Sequence, residues 1–304
     1  MPQFERILIP VDFSEASLKA LRYGLSLALE MEAALRVAHV MPFAPALAYV
    51  YPVEGNEISR KEIEATEEKL RALVLPEYRE PVSARFLVKA GDVQDELLKL
   101  IEEQEPDLVV MGTHGRRRFE RWTLGSVAEY VLRRAEVPLL TVSRLDEEHE
   151  IGKPTPVPLS KLLYATDLSS ESVEGMRRAI DLASDFSADL LILHVVQNLG
   201  WAMGTEFIPL DIESRTVKAR EAAFEYLVNS VPEQARQDPK VRIEMREGLP
   251  YEVILQLAQD EHADMIVLNT QSRSGLERAM LGSTAERVIR GATIPVLSLR
   301  SKRS

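Results

Sequence analysis

The chain of 304 residues is long enough for about two domains, and its 45% hydrophobic and 28% charged residues match a globular protein rather than a disordered or fibrous one. A formal net charge of −11 argues against a general nucleic-acid or anionic-membrane binder, since such proteins meet their partners with a basic surface. The absence of cysteine excludes disulfides, thiol nucleophiles and cysteine-ligated metals.

From the N-terminus, Met-Pro-Gln-Phe-Glu-Arg runs straight into an apolar strand without a charged n-region or a cleavage site. No export signal is therefore expected, and the cytoplasm is the expected compartment. Strands are predicted at Arg6–Val11, Leu35–Val40, Val82–Val88, Asp107–Met111 and Pro138–Val142. Between them, helices are predicted at Ser14–Met31, Arg60–Leu73, Asp92–Glu103 and Gly125–Arg134; Leu18, Leu21, Leu25 and Ala28 fall on one helical face. Strand and helix alternating in this way imply βαβ units, a mostly parallel sheet and helices on both of its faces. The weakly charged stretch from Met41 to Val53 holds Pro42, Pro45 and Pro52, and is too short and too broken to span a bilayer as a helix.

The second half repeats the first. Asp12-Phe13-Ser14 matches Asp167-Leu168-Ser169 and His39-Val40 matches His194-Val195, both 155 positions on; Gly91, Asp107, Gly125-Ser126 and Pro138 match Gly248, Asp264, Gly282-Ser283 and Pro295, all 157 positions on. The fold class expected is α/β, as two tandem doubly wound domains, each with a five-stranded parallel sheet flanked by helices. The predicted boundaries are residues 1–145 for the first domain, 146–160 for a solvated linker with Pro154, Pro156 and Pro158, and 161–304 for the second domain. In both copies a long connection follows the second strand, Met41–Ser59 and Gln197–Glu213. Each reads either as a flap packing its own aromatics or as a lid or partner surface.

Gly112-Thr-His-Gly115 follows a buried strand, and after nine further residues Gly125-Ser126 opens a helix. Glycines at such places let backbone amides turn toward one small volume, and a helix beginning at Ser126 adds unpaired N–H groups and its positive dipole end. Phosphate is the natural occupant; the plain alternative is that the glycines only make tight turns. The pattern is neither G-x-x-x-x-G-K-[ST] nor a strand-linked G-x-G-x-x-G.

The segment Gly112-Thr-His-Gly115-Arg-Arg-Arg-Phe-Glu-Arg-Trp-Thr-Leu-Gly125-Ser126 resembles the G-x2-G-x9-G-[ST] motif of ATP-binding universal stress proteins. The likeness extends to Pro10-Val-Asp12-Phe-Ser14, to His39-Val40 and to Ala135-Glu-Val-Pro138-Leu-Leu-Thr-Val142, and with the second repeat it covers nearly the whole chain. The resemblance implies a Rossmann-like, adenine-nucleotide-hydrolase-like fold. It also implies an adenine nucleotide in repeat one: Asp12 and Val40 flanking adenine and ribose, the glycines and Ser126 holding the triphosphate, and Pro10, Val11, Ser14, Met111, His114, Arg116 and Val127 around them. ATP is the expected cofactor, with Mg2+ a candidate companion and ADP or AMP alternatives.

On residue chemistry alone, Asp12 stands at a strand end that faces ligands in a doubly wound sheet, and it can share a helix-capping role with Ser14 at the same time. His39 and His194 read first as packed core residues, and His114 lacks a carboxylate partner for acid–base work. Arg116, Arg117, Arg118 and Arg121 either neutralise phosphate or an acidic partner, or form a solvated loop. In the second copy Asn269 and Ser272 replace the first two glycines, so a side chain is expected where phosphates would sit; binding in repeat two is expected to be weak or absent, or limited to a smaller anion.

The leading functional reading is an ATP-binding stress-response or regulatory protein with slow or no hydrolysis, its bound nucleotide changing what the protein contacts. An enzyme cleaving ATP between its α- and β-phosphates would be expected to carry S-G-G-x-D-S after the first strand, where this chain has Pro10-Val-Asp-Phe-Ser14. A nucleotide-independent scaffold is the third reading. The resembled family pairs final strands across a dimer interface, so Leu139–Val142 and Val296–Leu299 could make an intramolecular pseudo-dimer, with homodimerisation and a protein partner left open.

Overall fold

The computed structural model describes residues 4–42, 59–113, 124–142, 154, 159–197, 210–270 and 281–300, with side chains from 217 onward in the helix that begins at 210. His114, Gly115, Arg116 and the other arginines of that loop, Ser272, most of both long connections and nearly all of the linker lie outside the described residues. Contacts divide the chain into two compact units, Met1–Pro158 with Thr293–Pro295 and Leu159–Ala292 with Val296–Ser304.

Repeat one is built on β1 (Arg6–Pro10), β2 (Ala34–Pro42), β3 (Arg85–Gly91), β4 (Leu108–Gly112) and β5 (Leu139–Val142), all parallel, in the order β3-β2-β1-β4-β5. Its helices are α1 (Glu15–Glu30), α2 (Arg60–Ala72), the short α3 (Pro76–Arg79), α4 (Val93–Gln104) and α5 (Ser126–Arg134). Ile7, Leu8 and Ile9 are successive and fully buried, which requires cover on both faces of the sheet because neighbouring strand residues point to opposite sides.

Repeat two reproduces the plan with β6 (Lys161–Thr166), β7 (Asp189–Val196), β8 (Val241–Glu247), β9 (Met265–Asn269) and β10 (Val296–Leu299) in the order β8-β7-β6-β9-β10. Its helices are α6 (Ser170–Asp185), α7 (Leu210–Ser230), α8 (Glu233–Gln237), α9 (Pro250–Asp260) and α10 (Ser283–Gly291). The two-domain α/β architecture with parallel sheets is therefore as expected.

The duplication extends to backbone conformation. Left-handed residues recur at matching places: Phe13 and Leu168 (φ 61° and 62°), Glu32 and Ser187 (54° and 52°), Glu105 and His262 (43° and 50°). Gly91 and Gly248 share φ values of 155° and 145°, a region in which side chains are rarely tolerated. The paired aspartates Asp107 and Asp264 have a structural task. Asp107 accepts from the amides of Glu5 and Arg6, and Asp264 from those of Ser160 and Lys161, so each clasps the start of the central strand to its neighbour. The 157 spacing already holds at Leu70 and Leu227, both 0% exposed, and at Val74 and Val231. The two-residue insertion therefore falls between His194-Val195 and Leu227, in the stretch that carries the long connection. Burying such a leucine contributes roughly 1.5–3 kcal/mol, and these anchors hold the C-terminal turns of α2 and α7.

Two sequence expectations shift. The third strand begins at Arg85 rather than Val82, because Ser83 adopts φ 45° and breaks the extended run; buried Val82 instead accepts the Leu35 amide through its carbonyl at 2.8 Å. The short helix Pro76–Arg79 opens on a proline at its first turn and carries too few residues for a periodic pattern to reveal it.

Candidate functional site

The C-terminal ends of β1, β2 and β4 in repeat one border a cleft of about 1250 Å3. This is the edge where strand order reverses about β1, the usual place for ligands in open α/β sheets. Pro10, Val11, Asp12, Ser14, Val40, Met111, Gly112, Gly125, Ser126 and Val127 all line it, so ten of the thirteen residues singled out from sequence converge; the other three lie outside the described residues.

The turn after β1 is fixed by its own short side chains. Ser14 caps α1, accepting the amide of Ser17 at 3.3 Å, while Asp12 Oδ1 accepts the amide of Ser14 at 2.9 Å across left-handed Phe13. Asp12 thus takes part in a local turn and also borders the cleft. A carbonyl can only accept, so His39 Nδ1 carries the proton and donates to Val11 at 2.6 Å; Phe13 lies against the same ring, 4.8 Å between centroids. His194 does the same to Thr166 at 2.9 Å, which gives both histidines a positioning task at the strand end.

On the far wall, Gly125 N–H donates to the carbonyl of Thr113 at 2.7 Å and closes the base of the loop between them. Gly125 then caps α5 with φ −60° and ψ 141° and, as a glycine, brings no side chain of its own to the first amides of the helix. Ser126, Val127 and Ala128, the first turn, border the cleft, so their N–H groups and the positive end of the helix dipole lie at its edge. This donor set suits phosphate oxygens, and the apolar floor of Val11, Val40, Met111 and Leu97 suits a flat ring.

Neither Gly112 nor Gly125 has a left-handed φ. Gly125 is extended, and at Gly112 the constraint is proximity: a Cβ there would lie 2.6 Å from the carbonyl carbon and oxygen of Ala16 in α1. Gly112 lets strand β4 run tight against the first turn of that helix.

Repeat two solves the same crossing differently. Asn269, at the place of Gly112, donates from Nδ2 to the Glu171 carbonyl at 2.6 Å, and Tyr164 Oη approaches its Oδ1 at 3.4 Å. Room for it comes from Gly175 in α6, where a Cβ would fall on Asn269 Oδ1. The side chain expected to crowd the phosphates is therefore directed at the helix. Tyr164, completely buried, also donates to the Ser172 carbonyl, and burial pushes its hydroxyl well above the usual tyrosine range. The matching cavity is smaller, about 440 Å3, although Asp167, Asn269, Gly282 and Ser283 still border it.

Part of this difference lies in α2, which the sequence reading left out of the site. Thr66, Lys69, Ala72 and Leu73 line the first cleft, whereas none of the described residues of α7 lines the second. These four share one face of α2, at spacings of three and four, but no motif marks them as ligand-facing rather than core-facing. Among the described residues no group of three or more His, Cys, Asp or Glu is placed to hold a metal, and no helix is long and apolar enough to cross a membrane.

The chain is similar to known proteins of one family. A universal stress protein of Methanocaldococcus jannaschii is 32% identical over 149 residues, 46% of this chain and 81% of that protein. One of Mycolicibacterium smegmatis is 25% identical over 312 residues, covering 97% of both chains. Among solved structures, a universal stress protein of Archaeoglobus fulgidus superposes with a TM-score of 0.65 at 23% identity, over 97% of this chain and 98% of that one, a likeness of fold. The universal stress protein family itself matches residues 3–143 and again 158–300. With two matches that between them span both repeats, the chain belongs to the universal stress protein family.

Proposed function

We propose that repeat one binds an adenine nucleotide, ATP first and ADP or AMP as alternatives, and that the protein acts in stress response through nucleotide-dependent contacts with other molecules. The observation carrying this reading is the pairing of an α5 N-terminus whose N-cap is glycine with an apolar-floored cleft at the strand ends. In this reading the amides at Ser126 and Val127 bind phosphate, Asp12 meets the ribose or a nucleotide-bound Mg2+, and Val11, Val40 and Met111 take the base. His114, Gly115 and Arg116 complete the cradle on sequence grounds.

At the cleft His39 Nδ1 is held by the Val11 carbonyl and Asp12 Oδ1 accepts from its own turn. Any hydrolysis is slow on this account, since phosphoryl transfer needs a positioned nucleophile. Repeat two serves as partner and scaffold; pairing of the two repeats through their duplicated last strands, further homodimerisation, the boundaries near residues 145 and 160, and a cytoplasmic site of action belong to the same proposal. Titration calorimetry of the full chain with Mg-ATP tests it. Saturable binding lost on Ser126→Asp supports the reading, and absence of binding by the wild type to ATP, ADP and AMP overturns it.

A further inference from the structure

Lys69 stands apart from the rest of α2. Its neighbours one turn away are Ala65, Thr66, Ala72 and Leu73, none of them charged, while Arg60 and Arg71 are paired with Glu64 and Glu67 at 3.0 and 3.1 Å. Lys69 makes no ion pair among the described residues, its side chain is exposed, and it borders the cleft, where it is the only Lys or Arg among the described lining residues. In a chain of net charge −11, Lys69 has no carboxylate three or four positions away on its own helix face.

Its position relative to α5 gives it meaning. α2 packs on β2 and β3, whereas α5 starts from the end of β4, held there by the Gly125–Thr113 bond. In the order β3-β2-β1-β4 these supports are two or three strands apart, roughly 10–14 Å at the usual strand spacing. Lysine carries its charge on a flexible four-carbon stem, so Nζ can reach inward along that span. A mononucleotide whose 5′-phosphates sit at α5 therefore turns its nucleoside end toward Lys69. The cleft, at about 1250 Å3, also exceeds the roughly 300–1,000 Å3 common for small-molecule sites, leaving room beyond one nucleoside. In repeat two the corresponding residue is Tyr226, half exposed, which is not among the described residues lining the smaller cavity.

We propose that Lys69 binds a second phosphate of the ligand, carried on the ribose, so that repeat one prefers nucleotides phosphorylated at the 2′ or 3′ position as well as at the 5′ position. This rests on the nucleotide reading above and specifies its ligand class. The preference is set by an exposed ammonium and a phosphate, so it is modest and falls as ionic strength rises.

Titration calorimetry of the full chain against AMP, adenosine 2′,5′-bisphosphate and adenosine 3′,5′-bisphosphate, in the wild type and in Lys69→Met and Lys69→Arg, tests the assignment. One bisphosphate is expected to bind about threefold to tenfold more tightly than AMP in the wild type, the scale of a single exposed ion pair. That advantage, taken as the ratio of bisphosphate to AMP affinity within each protein, disappears in Lys69→Met, persists in Lys69→Arg and shrinks with added salt. Because residue 69 is exposed, circular dichroism is expected to show unchanged folding. Equal binding of AMP and both bisphosphates, or a preference surviving Lys69→Met, overturns the assignment and leaves the nucleotide reading standing. Failure of all three ligands and of ATP overturns both.

Discussion

Gly112 lies so close to Ala16 that a single added carbon would sit 2.6 Å from the Ala16 carbonyl carbon and oxygen. The neighbour is backbone, so the strand or the helix would have to move. Gly112→Ala is therefore expected to destabilise repeat one by about 1–3 kcal/mol, the usual range for overpacking, lowering its thermal midpoint by several degrees in differential scanning calorimetry. A midpoint equal to the wild type would mean that the glycine serves the ligand alone.

The same crossing in repeat two gives a coupled prediction. Gly175→Ala drives a methyl onto Asn269, and Asn269→Gly leaves a hole and takes a partner from Tyr164. Each single change is expected to destabilise, while the double variant recreates the Ala20 and Gly112 combination of repeat one and recovers part of the loss. The coupling should be about 0.5–3 kcal/mol, read from urea denaturation of the two singles and the double. Strict additivity would contradict the account.

Ser126→Asp separates ligand binding from stability. A carboxylate in the first turn of α5 favours the helix dipole by about 0.3–1 kcal/mol, so the thermal midpoint is expected to hold or rise. Nucleotide affinity should nevertheless fall by tenfold or more, because the same carboxylate repels phosphate. A fall in stability accompanied by unchanged affinity would refute the placement of phosphate at this helix.

Tyr164 predicts an alkaline limb. Its hydroxyl is held above the usual tyrosine range in the folded chain, mainly by burial, so only the unfolded chain ionises readily as pH passes about 10. The stabilisation is complete below that pH and is lost as pH rises beyond it. Stability curves of wild type and Tyr164→Phe between pH 8 and 11 should show the wild type declining more steeply; parallel curves would contradict the burial argument.

Much of this was legible in the sequence because the duplication leaves paired marks. Asp107 and Asp264 were visible as landmarks, although their hold on the strand beginnings needed coordinates. At Gly112 a motif reports that a glycine stands there, but not the close approach of the Ala16 backbone that also demands it. Lys69 was missed because a polar helix with one apolar anchor, Leu70, gives no sign of which other face meets a cleft. Asn269 was expected to crowd a phosphate, but its compensation by Gly175 is a contact across 94 positions that periodicity does not register.

The account centres on one nucleotide site per chain, in repeat one. Its most direct test is the stoichiometry of Mg-ATP binding to the full chain by titration calorimetry, with Ser126→Asp and Ser283→Asp as partners. One equivalent, abolished by Ser126→Asp and kept in Ser283→Asp, is the predicted result; two equivalents, or one that depends on Ser283, would contradict it.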